Sequence, residues 1–242
     1  RAGETNVPIV YLNLVGGQDD LVFDGGSFVL NPNGNAAVQL PQFDECTALV
    51  NFSRHDNKWV AESGCKETIR DELSQDYRAM AEGTRDYIKK TGFSKVLLGL
   101  SGGVDSALVA TIACDALGPE NVLCVRLPSE ITSASSLTDA EILVKRLGCQ
   151  LETLPISEAN NIILSTLDKV FEKCTPDVTE ENIQSRLRGL FLMAVSNKFD
   201  RILLTTGNKS EVAVGYSTIY GDMAGGYNPI KDLYKMRVFE TC

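Results

Sequence analysis

A chain of 242 residues, 43% hydrophobic and 23% charged, is long enough to bury a core in one or two domains. Its formal charge of −9, with no basic stripe, argues against a nucleic-acid partner, and no apolar run reaches the length of a membrane span. Seven cysteines without a C-x-x-C pair and a single histidine, His55, argue against a multi-histidine metal site or a His-based triad. Several of those cysteines lie in apolar runs and read as small core residues, and a reduced, cytoplasmic protein is expected. His55 is expected at the surface. The chain begins on Arg1 rather than Met and breaks off at Cys242, and it reads as a piece of a longer protein.

Residues 8–50 read as β-rich. Segments 8–12, 21–23 and 27–30 are strands of β-formers, and the turns at 16–20, 24–26 and 31–34 are rich in Gly, Asp and Asn. The polar residues 51–66 read as a linker. Beyond them Ile69, Leu73, Tyr77, Met80, Thr84 and Ile88 recur every three or four positions, which predicts an amphipathic helix ended by Thr91-Gly92.

The next stretch organises the chain. A short apolar strand, Val96-Leu97-Leu98-Gly99-Leu100, runs into Ser101-Gly102-Gly103-Val104-Asp105-Ser106 and then into a helix expected to be amphipathic through Ala107, Leu108, Ile112 and Leu117. Helix-start amides in such a turn point at an anion, glycine lets the backbone approach it closely, and the two serines add hydroxyl donors. A Walker A loop would carry a lysine here. Asp105 stands instead, an acid that would repel bare phosphate and so implies a bridging Mg²⁺. On these residues alone, a plain glycine turn between strand and helix stays open.

Gly118-Pro119 stops that helix. Residues 121–127 read as a strand, and Pro128-Ser129 opens a loop. Thr138-Asp139-Ala140-Glu141 reads as a capping box starting a helix that ends at Gly148. A strand at 149–154 and a helix at 157–171 follow. Asp177 to Thr179 lead into a long helix through Phe199, and 202–206 is again a strand. Alternating strands and helices predict an α/β fold: right-handed crossovers and a parallel sheet covered on both faces. Ligands bind such sheets at the carboxyl ends of the strands, where the loop at 101–106, the turn at 126–129 and the segment 206–211 fall.

The stretch at 101–106 resembles the SGG-x-DS loop of the ATP-pyrophosphatase (PP-loop) enzymes, which cleave ATP to AMP and pyrophosphate. Residues 13–27 resemble the late part of the nitrilase-like glutaminase domain of glutamine-dependent NAD⁺ synthetases. Glu181-Asn182-Ile183-Gln184-Ser185-Arg186-Leu187-Arg188-Gly189, Thr205-Thr206-Gly207-Asn208-Lys209-Ser210-Glu211 and Gly221-Asp222-Met223-Ala224-Gly225-Gly226, with Lys235 beyond, resemble the synthetase domain of that family in order and spacing. The likeness runs from about Pro8 to Val238. It implies that residues 1–50 end a nitrilase-like domain, 51–66 link, and 67–242 form a PP-loop synthetase domain incomplete at its C-terminus.

The same resemblance implies ATP-dependent amidation of deamido-NAD⁺. ATP adenylates the nicotinate carboxylate, pyrophosphate leaves, and ammonia, derived from glutamine in the complete protein, displaces AMP. A free carboxylate acylates poorly, and AMP leaves far better than oxide. Gly99, Leu100, Ser101, Gly102, Gly103, Val104, Asp105 and Ser106 are then expected to cradle ATP, with Thr206 and Lys235 beside it and Arg126 facing adenine. Asp105 and Glu211 are the expected Mg²⁺ ligands. Asn182, Arg186, Glu211 and Asp222 are expected on the deamido-NAD⁺ side, and a homo-oligomer is expected. The Cys, Glu and Lys of the family's glutaminase have no counterpart in this sequence, and Cys46 comes too late to match. Two other classes stay open on the residues: another PP-loop amidotransferase or thiolating enzyme, and a non-catalytic nucleotide-binding module.

Overall fold

The computed structural model describes residues 1–130 and 132–242, in two units, Arg1–Asp86 and Tyr87–Cys242, divided within one helix. In the first unit a short helix α1 (Ala2–Thr5) precedes the strands β1 (Ile9–Tyr11), β2 (Val15–Gln18), β3 (Leu21–Asp24), β4 (Phe28–Leu30) and β5 (Ala36–Gln39). β1, β4 and β5 form an antiparallel sheet, and β2 pairs with β3 as a hairpin. Gly16 and Gly17, expected in a turn, lie instead within β2. A side chain on Gly16 would stand 2.5 Å from the Asp86 carboxylate, which accepts a hydrogen bond from the Gly17 N–H at 2.8 Å. Close approach, rather than chain reversal, is what these two glycines serve. β5 carries two alanines, weak strand formers, and was not legible as a strand.

The polar stretch 51–66 is not an extended linker. It folds as a hairpin of β6 (Phe52–His55) and β7 (Lys58–Ala61), turning at Asp56 and Asn57, both with positive φ. Ala61 belongs to a small core with Val29, Ala37 and Val38, and the Asn31 amide donates to Ala61 O at 3.0 Å while accepting from Ala61 N at 2.8 Å. The only histidine lies exposed on β6, as expected. The division between units falls not near residue 67 but inside α2 (Glu72–Lys90), the amphipathic helix.

The second unit is a parallel sheet of β8 (Val96–Gly99), β9 (Val122–Arg126), β10 (Gln150–Thr153) and β11 (Ile202–Leu204) in the order β10-β9-β8-β11. The chain winds outward from β8 to β9 and β10, then returns to lay β11 on the other side of β8. That reversal opens a crevice between the loops following β8 and β11. The strands alternate about the sheet: Leu97, Leu123, Val125 and Leu203 pack with Phe191, Leu192 and Val195 of α6 (Val178–Phe199). On α6, Asp177 caps the helix in a reciprocal box with Glu180.

α3 (Val104–Leu117) covers β8 and β9 and is flanked by α4 (Ala134–Leu147) and by α8 (Lys235–Thr241). It is buried on more than one stripe, Leu108, Val109, Ala110, Ile112 and Ala113 being at most 3% exposed, so the expected amphipathic pattern does not hold. α4 also corrects an expectation. It begins one turn before Thr138, because the Ser133 hydroxyl accepts from Ser136 N at 3.2 Å and caps it there. Glu141, expected to close a capping box, pairs instead with Arg126. α5 (Ser157–Phe171) lies against α6, and α7 (Lys209–Val214) follows β11. Among the described residues no helix is long and apolar enough to cross a membrane.

Candidate active site

A cleft of about 330 Å³ opens where β8, β9 and β11 end. Gly99, Leu100 and Ser101 line it from β8, Arg126 and Leu127 from β9, and Thr205 and Thr206 from β11. α6 closes one side with Ser185, Arg188, Gly189 and Leu192, the 3–4 spacing of a single helix face. The wall is mostly apolar with a few convergent polar groups, the composition of a small-molecule site.

The turn at its rim is built tightly. Gly102 has φ +84°, and a Cβ there would stand 2.6 Å from Ser136 O, so only glycine fits. Gly103 is the N-cap of α3 and offers no side chain to the first-turn amides, which are left for another acceptor. Of the two serines expected to face a ligand, Ser106 is turned inward. The residue is 3% exposed, and its hydroxyl donates to Gly103 O at 3.0 Å and accepts from Ser101 N at 3.3 Å, bracing the turn.

A polar cluster occupies the crevice between β8 and β11. Asp105, in the first turn of α3, forms an ion pair through Oδ2 with the Lys235 ammonium. Its Oδ1 accepts from Asn208 Nδ2 at 2.9 Å. Asn208 is the N-cap of α7 and fully buried; its Oδ1 accepts from Glu211 N at 3.1 Å while Glu211 Oε2 accepts from Asn208 N at 3.0 Å. Asp105, Glu211 and Lys235, far apart in sequence, are thus brought to one place through a residue that was not singled out. The signal for it existed: Asn208-Lys209-Ser210-Glu211 has the spacing of a capping box. Among the described residues no group of three or more His, Cys, Asp or Glu side chains gathers to hold a metal. Asp105 and Glu211 are joined through Asn208, and a hard ion held by these two carboxylates would need its other oxygens from phosphate and water.

The remaining expected residues divide. Asp222 lines the cleft, and its Oδ1 accepts from Thr218 N at 2.6 Å. Asn182 Oδ1 accepts from Thr218 Oγ1 at 2.9 Å and Arg186 Nε donates to Ile219 O at 3.2 Å; neither lines the cleft. These two lie along α6 against the 218–222 turn. Gly189 permits that contact, since a Cβ there would meet Tyr220 O at 2.8 Å. Arg126 lines the cleft but is held by its own neighbours, donating to Thr153 Oγ1 at 2.9 Å, Leu137 O at 3.0 Å and Glu141 Oε1 at 2.8 Å. Arg188, two positions beyond Arg186 and not among the expected residues, faces the cleft. It donates to Leu127 O at 3.2 Å and Ser129 Oγ at 3.4 Å, and burial pushes its guanidinium below the usual arginine range. Its helical phase with Ser185 and Leu192 was the available signal.

A family profile described as NAD synthase matches residues 76–242. The glutamine-dependent NAD(+) synthetase of Rhodobacter capsulatus is 60% identical over 242 residues, which is 100% of this chain and 44% of that protein. The structure of the glutamine-dependent NAD⁺ synthetase from Acinetobacter baumannii in complex with adenosine diphosphate superposes with a TM-score of 0.95 at 44% identity, over 99% of this chain and 45% of that one. The NH3-dependent NAD synthetase from Campylobacter jejuni subsp. jejuni NCTC 11168, in complex with nitrate, gives 0.65 at 32% identity over 71% and 72%. The chain therefore spans less than half the length of the glutamine-dependent relatives it matches, 44% in the first case.

Proposed function

The chain belongs to the NAD synthase family, and we propose that its second unit carries the ATP-dependent amidation of deamido-NAD⁺ to NAD⁺, releasing AMP and pyrophosphate. The observation that carries this reading is the crevice between β8 and β11. There an uncapped helix start, a lysine and two carboxylates converge beside an apolar cleft of nucleoside size. The A. baumannii relative bound to ADP supports a nucleotide in that cleft.

Each group then has a task. The adenosine occupies the cleft against Leu100, Leu127 and Thr206, with Arg126 at its edge, and its phosphates face residues 101–106, where the α3 amides and helix dipole favour negative charge. Lys235, held by Asp105, is placed to neutralise charge on the departing pyrophosphate. Asp105 and Glu211 would hold Mg²⁺, which supplies further neutralisation of that charge. Asp222 at the cleft, with Glu211, and with Asn182 and Arg186 outside the cleft against the 218–222 turn, are assigned to deamido-NAD⁺, orienting it so that its carboxylate meets the α-phosphate. Little acid–base work is required; positioning two polyanions and stabilising charge carry the rate. Within a protein of those relatives' length, ammonia would come from glutamine, residues 1–50 would end a nitrilase-like domain, and the assembly would be a homo-oligomer.

The test is ATP–pyrophosphate exchange on the chain as it stands. Exchange that requires deamido-NAD⁺, followed by NAD⁺ formation when ammonium is added, is the expected result. Exchange that proceeds without deamido-NAD⁺, or ATP binding with no exchange at all, overturns it in favour of another PP-loop activity or a non-catalytic module. Incubation with glutamine is expected to release no glutamate.

A further inference from the structure

Three of the seven cysteines converge at a place the reaction does not use. Cys114 comes from α3, Cys124 from the middle of β9, and Cys149 immediately precedes β10. Parallel pairing explains the meeting. Leu151 lies opposite Cys124, so residue 149, two positions earlier, shares its face of the sheet, the face α3 covers. The Cys124 and Cys149 sulfurs are 3.8 Å apart. Cys114 and Cys124 are buried, whereas Cys149 is partly open to solvent.

We propose that Cys149 and Cys124 are a peroxide-oxidisable thiol pair, in which Cys149 is attacked first and Cys124 closes an intramolecular disulfide that ties the edge strand β10 to β9. The division of labour follows from access: a small hydroperoxide reaches Cys149, and only a neighbouring side chain reaches Cys124. Chemistry agrees with access. Hydrogen bonds from Cys114 and Cys124 hold the Cys149 thiol well below the usual cysteine range, while the same bonds and burial push its two neighbours up. A thiolate is thereby concentrated on the least buried of the three cysteines.

The reaction balances with one hydroperoxide. The Cys149 thiolate attacks a peroxide oxygen and the O–O bond breaks, leaving a sulfenic acid and a hydroxide that takes a proton from solvent. The Cys124 sulfur then attacks the Cys149 sulfur; the S–O bond breaks, and the thiol proton departs with the hydroxyl as a second water. Two thiols give up two electrons and one peroxide gains them. Closing the bond to about 2.0 Å needs the sulfurs to move together by less than a bond length and a half, which a residue just outside a strand supplies by rotating its side chain. If these cysteines were only small core fillers, none of this would follow, because buried thiols are otherwise inert.

The whole chain is treated with graded hydrogen peroxide, unfolded in the presence of an alkylating agent, and mapped by peptide mass. The expected result is loss of the mass of two hydrogens, with one bridge joining the peptides that contain Cys149 and Cys124. It is formed before the exposed Cys46, Cys65, Cys174 and Cys242 are oxidised. Cys149→Ser is expected to abolish that bridge. With Cys114→Ser and Cys124→Ser combined, which keep a hydroxyl donor at each place but cannot form a bridge, Cys149 is expected to stop at the sulfenic acid and take up a dimedone label. Oxidation of the exposed cysteines ahead of Cys149, or a bridge that joins Cys149 to Cys114, overturns the proposal, and the unmodified chain alone suffices to reveal either.

Discussion

Asn208 is fully buried and uses both ends of its amide, Oδ1 toward Glu211 N at 3.1 Å and Nδ2 toward Asp105 Oδ1 at 2.9 Å. Two substitutions separate these duties. Asn208→Ala removes cap and bridge together, and denaturant unfolding should show a loss of about 1–2 kcal/mol. Asn208→Asp keeps an acceptor for Glu211 N but sets a carboxylate against Asp105. At neutral pH this variant should unfold more easily than the parent, and the gap should narrow as acid protonates one of the two. Equal stability across pH would show that Asp105 does not depend on the amide. Glu211 has a mundane duty as well as a proposed one, since its carboxylate caps the Asn208 N–H at 3.0 Å. Glu211→Gln keeps an acceptor for that bond while removing the charge. Its thermal unfolding should therefore match the parent, and its turnover should fall by about 10²-fold or more, the scale of a lost charge-stabilising group. Turnover within about twofold of the parent would leave capping as its whole role.

At the scale of elements, helix starts show how local chemistry governs the fold. α6 begins at a reciprocal box in which Asp177 Oδ1 accepts from Thr179 N at 2.7 Å and Glu180 Oε2 accepts from Asp177 N at 2.8 Å. The hydrogen bonds from Thr179 hold the Asp177 carboxyl below its ordinary value. A carboxyl lowered by folding contributes stability above its unfolded pKa and loses it as the pH falls through the folded one. The start of α6 should therefore loosen in acid, below the ordinary carboxylate value of about 4. Hydrogen exchange of the first α6 amides should accelerate there relative to the helix centre, after correction for intrinsic rates. In Asp177→Asn that extra acid dependence should vanish. α4 makes the complementary point: with Ser133 available one turn upstream, Thr138 is inside the helix and Glu141 is released to hold Arg126 at the rim of the cleft.

For the whole molecule, the cleft lies entirely within the unit Tyr87–Cys242, and every residue lining it comes from 99 onward. The unit division inside α2 implies that a cut at 87 would break that helix, whereas a cut before Glu72 leaves it whole. Residues 71–242 produced alone should bind ATP within about threefold of the full chain, as expected of a domain with its own core. A chain starting at Tyr87 should fare worse, because Ile88, fully buried, would lose the helix that holds it. Calorimetric titration of both pieces checks the order; similar affinity for the two would show that α2 does not support the site.

The sequence by itself determined what depends on neighbours along the chain: the apolar runs of β8, β9 and β11, the caps at Asp177 and Gly148, and the glycine turn after β8. Such features follow from local sterics and hydrogen bonding, and with the SGG-x-DS motif they were enough to make the α/β fold and the family legible. Three matters were decided only by tertiary structure. Residues 52–61 became a hairpin because Ala61 and Asn31 found each other across the first unit. Arg188 rather than Arg186 faces the cleft because the packing of α6 on the sheet chose which face points inward. Asp105, Asn208 and Lys235 met because β11 returned beside β8, bringing together residues more than a hundred positions apart. No local pattern encodes such a meeting; it arises from the order of strands in the sheet, which long-range packing selects.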